Sequence, residues 1–371
     1  MSDINTALVD RLKALDPNRP IREADMTLSF GLSDALRCWQ FEGYMRRREF
    51  ITLMAGSAAW PFTAQAQQPV MPVVGYLSTG TPQTDAEPYL IPFRQGLNTL
   101  GYVEGRNVAI EYRWAEFKNE RLPELAGDLI RRSVAVIATI GGTPPALAAK
   151  AMTSTIPIIF YSGIDVVKSG LVASLARPGG NLAGIAALQA QLIAKRIELL
   201  SETVHKAQII TLLVNPTNRY TDTETEILYG GARSLNLQLH VVRAESATEF
   251  EAAFKEIKDL RTEALLVSAD LFLYSQREKL VSLANLHALP TIYPWREYVT
   301  AGGLMSYGPS LLEASRLIGI YSGKILRGAN PAELPVEQHT RVEFVINLIT
   351  AKVQGLAFSL PLLGRADEVI E

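Results

Sequence analysis

Residues 134–162 read VAVIATIGGTPPALAAKAMTSTIPIIFYS. Residues 134–140 form a short apolar run rich in β-branched side chains, which predicts a strand buried on both faces. Gly141, Gly142, Thr143 and two prolines break it, 145–153 reads as a helix, and 156–161 returns to a buried strand. Strand, helix, strand at this spacing is a parallel β/α unit. The rhythm extends outward. A strand at 73–77 meets a turn-rich loop, a helix at 89–100 stops at Gly101, a strand follows at 108–114 and an amphipathic helix at 121–131. After the breaker cluster Arg177-Pro178-Gly179-Gly180-Asn181 it restarts: strands at 208–214, 237–243, 264–268 and 291–293, with helices between them. Two successive β/α sets predict an α/β protein of two similar lobes. Ala301-Gly302-Gly303 reads as a return crossing ahead of a long helix over 310–327.

Composition narrows the function. The chain has 371 residues, room for two domains, and is 48% hydrophobic and 20% charged, as a folded protein should be. A net charge of −2 argues against nucleic-acid binding, which needs a basic face. The single cysteine, Cys38, leaves no disulfide or cysteine metal site. No apolar run reaches the ~18–20 residues of a membrane span. Residues 45–68, MRRREFITLMAGSAAWPFTAQAQQ, instead read as an export signal: Arg46–Arg48 as the basic region, an apolar stretch, and Ala64-Gln65-Ala66 ahead of cleavage before Gln67. Arg47-Arg48-Glu49-Phe50 resembles a twin-arginine pattern. Signals act at the N-terminus, so translation from Met45, with 1–44 a mis-assigned or disordered leader, is the simplest reading; 1–44 as a genuine extension is the alternative.

In open parallel sheets ligands bind beyond the carboxyl ends of the strands, so the loops after strands hold the candidates. Ser78 and Thr79 follow the first strand. Gly142 and Thr143 open a helix whose free N–H groups would suit a carboxylate, although the same residues make an ordinary strand-to-helix turn. Tyr161, Ser162 and Asp165 offer an aromatic wall, a hydroxyl and a carboxylate; Asp165 would hold a ligand ammonium or cap the next turn. Asn215 and Asp270 end strands of the second set, and Tyr293, Trp295 and Tyr307 lie near the crossings. His205, His240, His287 and His339 are scattered without metal spacing, and no nucleophile elbow, phosphate loop or dinucleotide fingerprint occurs. No metal, cofactor or catalytic residue is expected.

Several stretches resemble the family of ABC-transporter substrate-binding proteins that includes tryptophan/tyrosine-type binding proteins: FRQGLNTLGYVEGRNVAIEYRWAE (93–116), GGTPPALAAKAMTSTIPIIF (141–160), GLVASLARPGGNLAG (170–184), AKRIELLSE (194–202), AGGLMSYGPS (301–310), VINLITAKVQGL (345–356) and RADEVIE (365–371). The resemblance covers about three hundred residues, from roughly 72 to 371. The resemblance implies a type I periplasmic-binding-protein fold: two doubly wound parallel-sheet lobes joined by three crossings, lobe 1 over 67–184 and 303–335, lobe 2 over 185–302 and 336–371. It implies a periplasmic receptor for a small carboxylate-bearing solute, an amino acid or aromatic acid, with an inner-membrane ABC permease and its ATPase as partners and no membrane insertion once the signal is removed. Ser78, Thr79, Gly142, Thr143, Ser162, Asp165, Asn215 and Asp270 take the positions of its ligand contacts, and Tyr161 and Tyr307 would flank the solute. The loop Ser162-Gly163-Ile164-Asp165-Val166-Val167 departs from the family's Ser-Gly-Gly-Asp-Pro-Val, which changes the bulk beside Asp165. The rival readings are a ligand-sensing subunit for a membrane receptor and an enzyme on the same scaffold, whose acids would be Asp165, Asp270 and Glu116.

Overall fold

A computed structural model describes residues 71–371, apart from Leu188, Arg219 and Thr340. The expected signal, the leader and Cys38 therefore lie outside the described residues. The chain first lays down β1 (Val73–Ser78), β2 (Ala109–Trp114), β3 (Val136–Ile140), β4 (Ile158–Ser162) and β5 (Leu182–Ala187). It then builds β6 (Ile209–Val214), β7 (Gln238–Arg243), β8 (Ala264–Val267), β9 (Thr291–Tyr293) and β10 (Met305–Pro309) in a second sheet. The helix Leu311–Leu326 and β11 (Glu337–His339) return to the first lobe, and β12 (Val342–Asn347) and β13 (Glu368–Ile370) complete the second.

The sheet orders are β11-β5-β4-β3-β1-β2 and β13-β12-β10-β9-β8-β6-β7. Every pairing is parallel except β10 with β12. Each lobe thus repeats one doubly wound order, with strand order reversing between β1 and β3 in the first and between β6 and β8 in the second. Crevices at such reversals are where open α/β sheets bind ligands. The continuous apolar strands follow from burial on both faces. In β3, Val136, Ala138 and Ile140 join one apolar cluster while Ile137 joins another. The cluster holding Val74, Tyr76 and Phe93 of the first lobe also holds Leu213, Phe250 and Leu265 of the second, so the lobes meet through apolar contact.

The three crossings fall between β5 and the helix Gln189–Thr203, at Ser310, and between β11 and β12. These positions differ from those read off the breakers. Ala301-Gly302-Gly303 is a turn inside the second lobe: Gly302, at φ +98°, ends the helix Arg296–Thr300, and the chain then enters β10, paired with β9 and β12. Likewise β5 runs on to Ala187 in the first sheet, and β11 pairs with β5 instead of starting the second lobe. A glycine-rich break marks a change of direction, and says nothing of which sheet receives the next strand.

Two features fix the first lobe. The helix Leu311–Leu326 docks on the helix Ile91–Thr99 through facing glycines: a Cβ on Gly96 would lie 2.0 Å from the Arg316 carbonyl oxygen, and one on Gly319 would lie 2.1 Å from that of Phe93. The loop after β1 folds around Asp85, whose carboxylate accepts hydrogen bonds from Tyr76 Oη at 3.0 Å and Thr84 Oγ1 at 3.4 Å. Gly80 lets it in, since a Cβ there would meet Asp85 Oδ1 at 2.3 Å. A reciprocal cap between Thr81 and Thr84 fixes the turn Pro82–Asp85.

Gly319→Ala forces the two helix backbones apart. It should lower unfolding free energy in urea by about 3 kcal/mol, and a loss below about 1 kcal/mol would show that the helices are not locked by this contact. Asp85 gives a pH signature. Burial pushes its carboxyl from 3.8 up to about 6, against hydrogen bonds from Ser78, Tyr76 and Thr84 that favour the anion. A folded acid with a raised value keeps a proton that the unfolded chain releases, so the folded state is favoured at low pH and loses this advantage between pH 4 and 6. Relative to Asp85→Asn, the wild type should lose about 2–3 kcal/mol across that window in urea titrations. A constant difference between the two proteins would contradict the assignment.

Candidate functional site

On the first lobe the residues at the β1–β3 reversal and at the end of β4 converge. Ser78 Oγ accepts from the Gly80 N–H at 2.9 Å, and the Thr79 hydroxyl donates to the Gly141 carbonyl at 3.4 Å. The helix Thr143–Met152 starts two residues earlier than the 145–153 that the sequence indicates. Gly142, at φ +90° and ψ −152°, is its N-cap, and among the described residues no side chain caps it. Thr143 is therefore the first helical residue; its hydroxyl lies 2.9 Å from that of Ser162, which also accepts from the Ile164 N–H at 3.3 Å. Gly142, Thr143 and Ser162 thus form one polar patch at a helix N-terminus, where the aligned peptide dipoles favour negative charge.

On the second lobe Asn215 and Asp270 meet at the β6–β8 reversal. Asp270 caps the short helix Leu271–Ser275, accepting from the Leu273 N–H at 2.9 Å. The Asn215 amide donates to both its oxygens at 3.3 Å, and the Asn218 amide adds a bond at 3.0 Å. Burial raises the Asp270 carboxyl, while the Leu273 N–H and the two amides stabilise its anion. A carboxylate has about four acceptor positions, so Asp270 is saturated by its own lobe. That makes it a rigid support for the loop and a poor partner for a ligand ammonium.

Asp165 does not join these groups. It is exposed; Oδ1 accepts from the N–H groups of Val167 and Lys168 at 3.1 and 3.0 Å, and Oδ2 faces Lys168 Nζ at 3.9 Å. Of the two roles that its sequence leaves open, the structure gives it the capping one.

Sequence reasoning missed the charged pair next to the crossings. Arg196, on the helix Gln189–Thr203, and Glu224, on the helix Thr221–Ser234, are 2% and 1% exposed. Arg196 Nη1 lies 3.5 Å from Glu224 Oε1, and Nε donates to the Tyr307 carbonyl at 3.1 Å. The Ser268 hydroxyl donates to Glu224 Oε2. Burial lowers the guanidinium and raises the carboxyl, and their mutual attraction opposes both shifts. Arg196 also interacts electrostatically with Tyr161 of the first lobe. Tyr307 is half-buried and packs edge-on to Phe344, with ring centroids 6.1 Å apart.

The lobes touch at several points. A Cβ on Gly141 would lie 2.7 Å from Leu271 Cδ1, and Phe117 meets Phe272 edge-on at 6.3 Å. Tyr89 of the first lobe lies within electrostatic range of Tyr274 and Glu297 of the second, and burial, the largest cause, raises its hydroxyl. Around Tyr274 stand Trp295 at 5.5 Å and Tyr298 at 6.1 Å, both edge-on. Tyr293 stacks on Tyr298 at 4.6 Å and is core. Tyr89, Tyr274, Glu297 and Tyr298 had no signal in the sequence, because their shared surroundings arise only where the lobes come together. A separate groove of about 330 Å³, lined by Phe254, Lys258, Leu286 and His287, opens at the amino ends of β8 and β9, the opposite edge from the cleft.

The pattern of the ABC transporter substrate binding protein family matches residues 91–370. A tyrosine-binding protein of Clostridioides difficile (strain R20291) is 26% identical over 260 residues, which is 70% of this chain and 74% of that protein. A crystal structure of a conserved domain protein from Vibrio cholerae O1 biovar El Tor superposes with a TM-score of 0.73 at 25% identity, covering 81% of this chain and 99% of that one. An ABC domain from Streptococcus pneumonia in complex with L-Trp shares the fold, with a TM-score of 0.72 at 23% identity and the same coverage. With its two doubly wound lobes and a match over most of its length, the chain belongs to the ABC transporter substrate binding protein family.

Proposed function

We propose that the protein is the exported solute-binding component of an ABC importer, taking an aromatic amino acid or a related aromatic acid between its lobes and passing it to a membrane permease driven by an ATPase. The observation that carries this reading is the junction of the lobes. Tyr89, Tyr161, Tyr274, Trp295 and Tyr298 belong to one apolar cluster that draws on both lobes, and the strand-order reversal of the first lobe has a hydroxyl-lined helix N-terminus at Gly142, Thr143 and Ser162. The resemblance to a tyrosine-binding protein favours the same ligand class. Export rests on the signal read at 45–66.

In this reading the ligand carboxylate meets the N–H groups and hydroxyls of the first lobe, while the aromatic part stacks between tyrosines. Gly141, Phe117 and Phe272 then let the lobes close. A solute drives closure only through its stronger affinity for the closed form, so it must touch both lobes. Asp165 and Asp270 serve as structural caps, and Ser78, Thr79 and Asn215 shape the loops at the reversals. The residues described bind and position a guest and perform no chemistry on it. A sensing subunit would use the same cleft; a docking partner other than a permease would distinguish it.

A thermal-shift screen of the full chain tests the ligand class. At a hundredfold excess over the dissociation constant, L-tyrosine or L-tryptophan should stabilise the protein by ~2.7 kcal/mol, raising the melting temperature by several degrees. Stabilisation by sugars or nucleotides alone would overturn the aromatic assignment.

A further inference from the structure

A buried ion pair adds little stability, because taking both charges out of water cancels much of their attraction. Arg196 and Glu224 are nonetheless buried together in the second lobe, so their pairing calls for another reason. The bonds around them supply one. Arg196 Nε donates to the Tyr307 carbonyl on β10, the strand that runs into the crossing at Ser310. Its Nη1 reaches Glu224 Oε1 at 3.5 Å. The other oxygen of Glu224 accepts from the Ser268 hydroxyl just past β8, and the Ala269 N–H stabilises the same anion. The Asp270 N–H donates back to the Ser268 carbonyl at 3.0 Å, which closes the loop. The helix that carries Glu224 is anchored at the same reversal, where the Thr221 hydroxyl donates to the Asn215 carbonyl at 2.8 Å. From Asp270 the short helix Leu271–Ser275 brings Leu271 against Gly141 and Phe272 against Phe117 of the first lobe. A continuous series of bonds thus runs from a crossing strand to the loop that touches the opposite lobe.

We propose that Arg196 and Glu224 are the positioning residues of this receptor: they hold the loop 268–270 in one place relative to β10, so that a guest settling on the loop and movement at the crossing become one event. This rests on the two-lobe receptor reading and adds to it the residues that transmit closure. Apolar contact is unsuited to the task, since it has no direction and lets packed elements slide. Hydrogen bonds between charged groups fix both distance and angle. The side chains fit the role. The planar arginine fork reaches a carboxylate with Nη1 and a carbonyl with Nε, whereas a lysine ammonium is a point charge on a flexible stem. Glu224 uses one oxygen for the arginine and the other for the loop, which a shorter or singly accepting side chain would not do. In this role neither residue touches the guest, and both act through the loop.

The double variant Arg196→Met/Glu224→Met of the full chain separates positioning from stability. Replacing a buried pair by apolar side chains of similar length leaves stability unchanged or higher, so the melting temperature should be kept. Without ligand, amide hydrogen exchange should quicken at residues 268–273 and 305–310 and stay as in the wild type at β3. Calorimetry with L-tryptophan and L-tyrosine should show binding weakened by ~10-fold or more. Ser268→Ala cuts the series at its loop end by removing one hydroxyl, and it should quicken exchange at 305–310, the far end. Added to the double variant, it should cause no further loss of affinity, because both interrupt one path. If the double variant does not fold, Ser268→Ala decides alone. Wild-type exchange at 305–310 in Ser268→Ala, wild-type affinity in the double variant, or additive losses would each overturn the positioning role and leave the ligand reading standing. A wild type that binds neither amino acid would overturn the ligand reading, and exchange, measured without ligand, would still decide the positioning role.

Discussion

A buried hydrogen-bonding group with nothing to bond to is unfavourable, and the segment that follows β9 contains several among the described residues. Apolar contact alone would favour permanent closure, as Phe117 on Phe272 and Leu271 under Gly141 indicate. The unpaired indole of Trp295, the Tyr298 hydroxyl and Glu297 Oε2 act in the opposite direction. In the receptor we propose, closing over such atoms without a guest removes them from water with no replacement bond, and a guest that supplies donors and acceptors makes the same closure favourable.

The remaining polar groups of the cleft are fixed from within each lobe. Asp270 is bonded by Asn215, Asn218 and the Leu273 N–H, Asp85 by Tyr76 and Thr84, and Arg196 by Glu224 and the Tyr307 carbonyl. In the proposed receptor, groups held in this way would keep their positions when the lobes separate, so an open form would present a preorganised surface and closure would need little local rearrangement. The Arg196–Glu224 pair, beside the first crossing and bonded to the strand that leads to the second, stiffens the second lobe where the linkers leave it.

Much of the architecture was legible in the sequence because parallel strands covered on both faces must be apolar at consecutive positions. The runs at 134–140 and 156–161 appear as β3 and β4 for that reason. Ser78, Thr143, Ser162, Asn215 and Asp270 were legible as residues at or just beyond strand ends, which can be located without coordinates. Their roles were harder to read. Asp85 and Asp165 are both acids in loops after strands, yet one is buried and the other exposed; the difference depends on the room that Gly80 leaves. Arg196 sits in a helix where a lone arginine normally faces water, and its partner Glu224 lies on another helix. Tyr89 and Glu297 belong to different lobes, so no local pattern links them. The crossings were misplaced because glycine breaks mark turns without naming the sheet that follows.

Small-angle X-ray scattering of the full chain, with and without saturating L-tyrosine or L-tryptophan, tests closure around a guest most directly. A receptor of the proposed kind should show a smaller radius of gyration on ligand addition, because its free form populates separated lobes. An unchanged radius under conditions where calorimetry records binding would contradict it, since the lobes would then hold one arrangement with or without a guest.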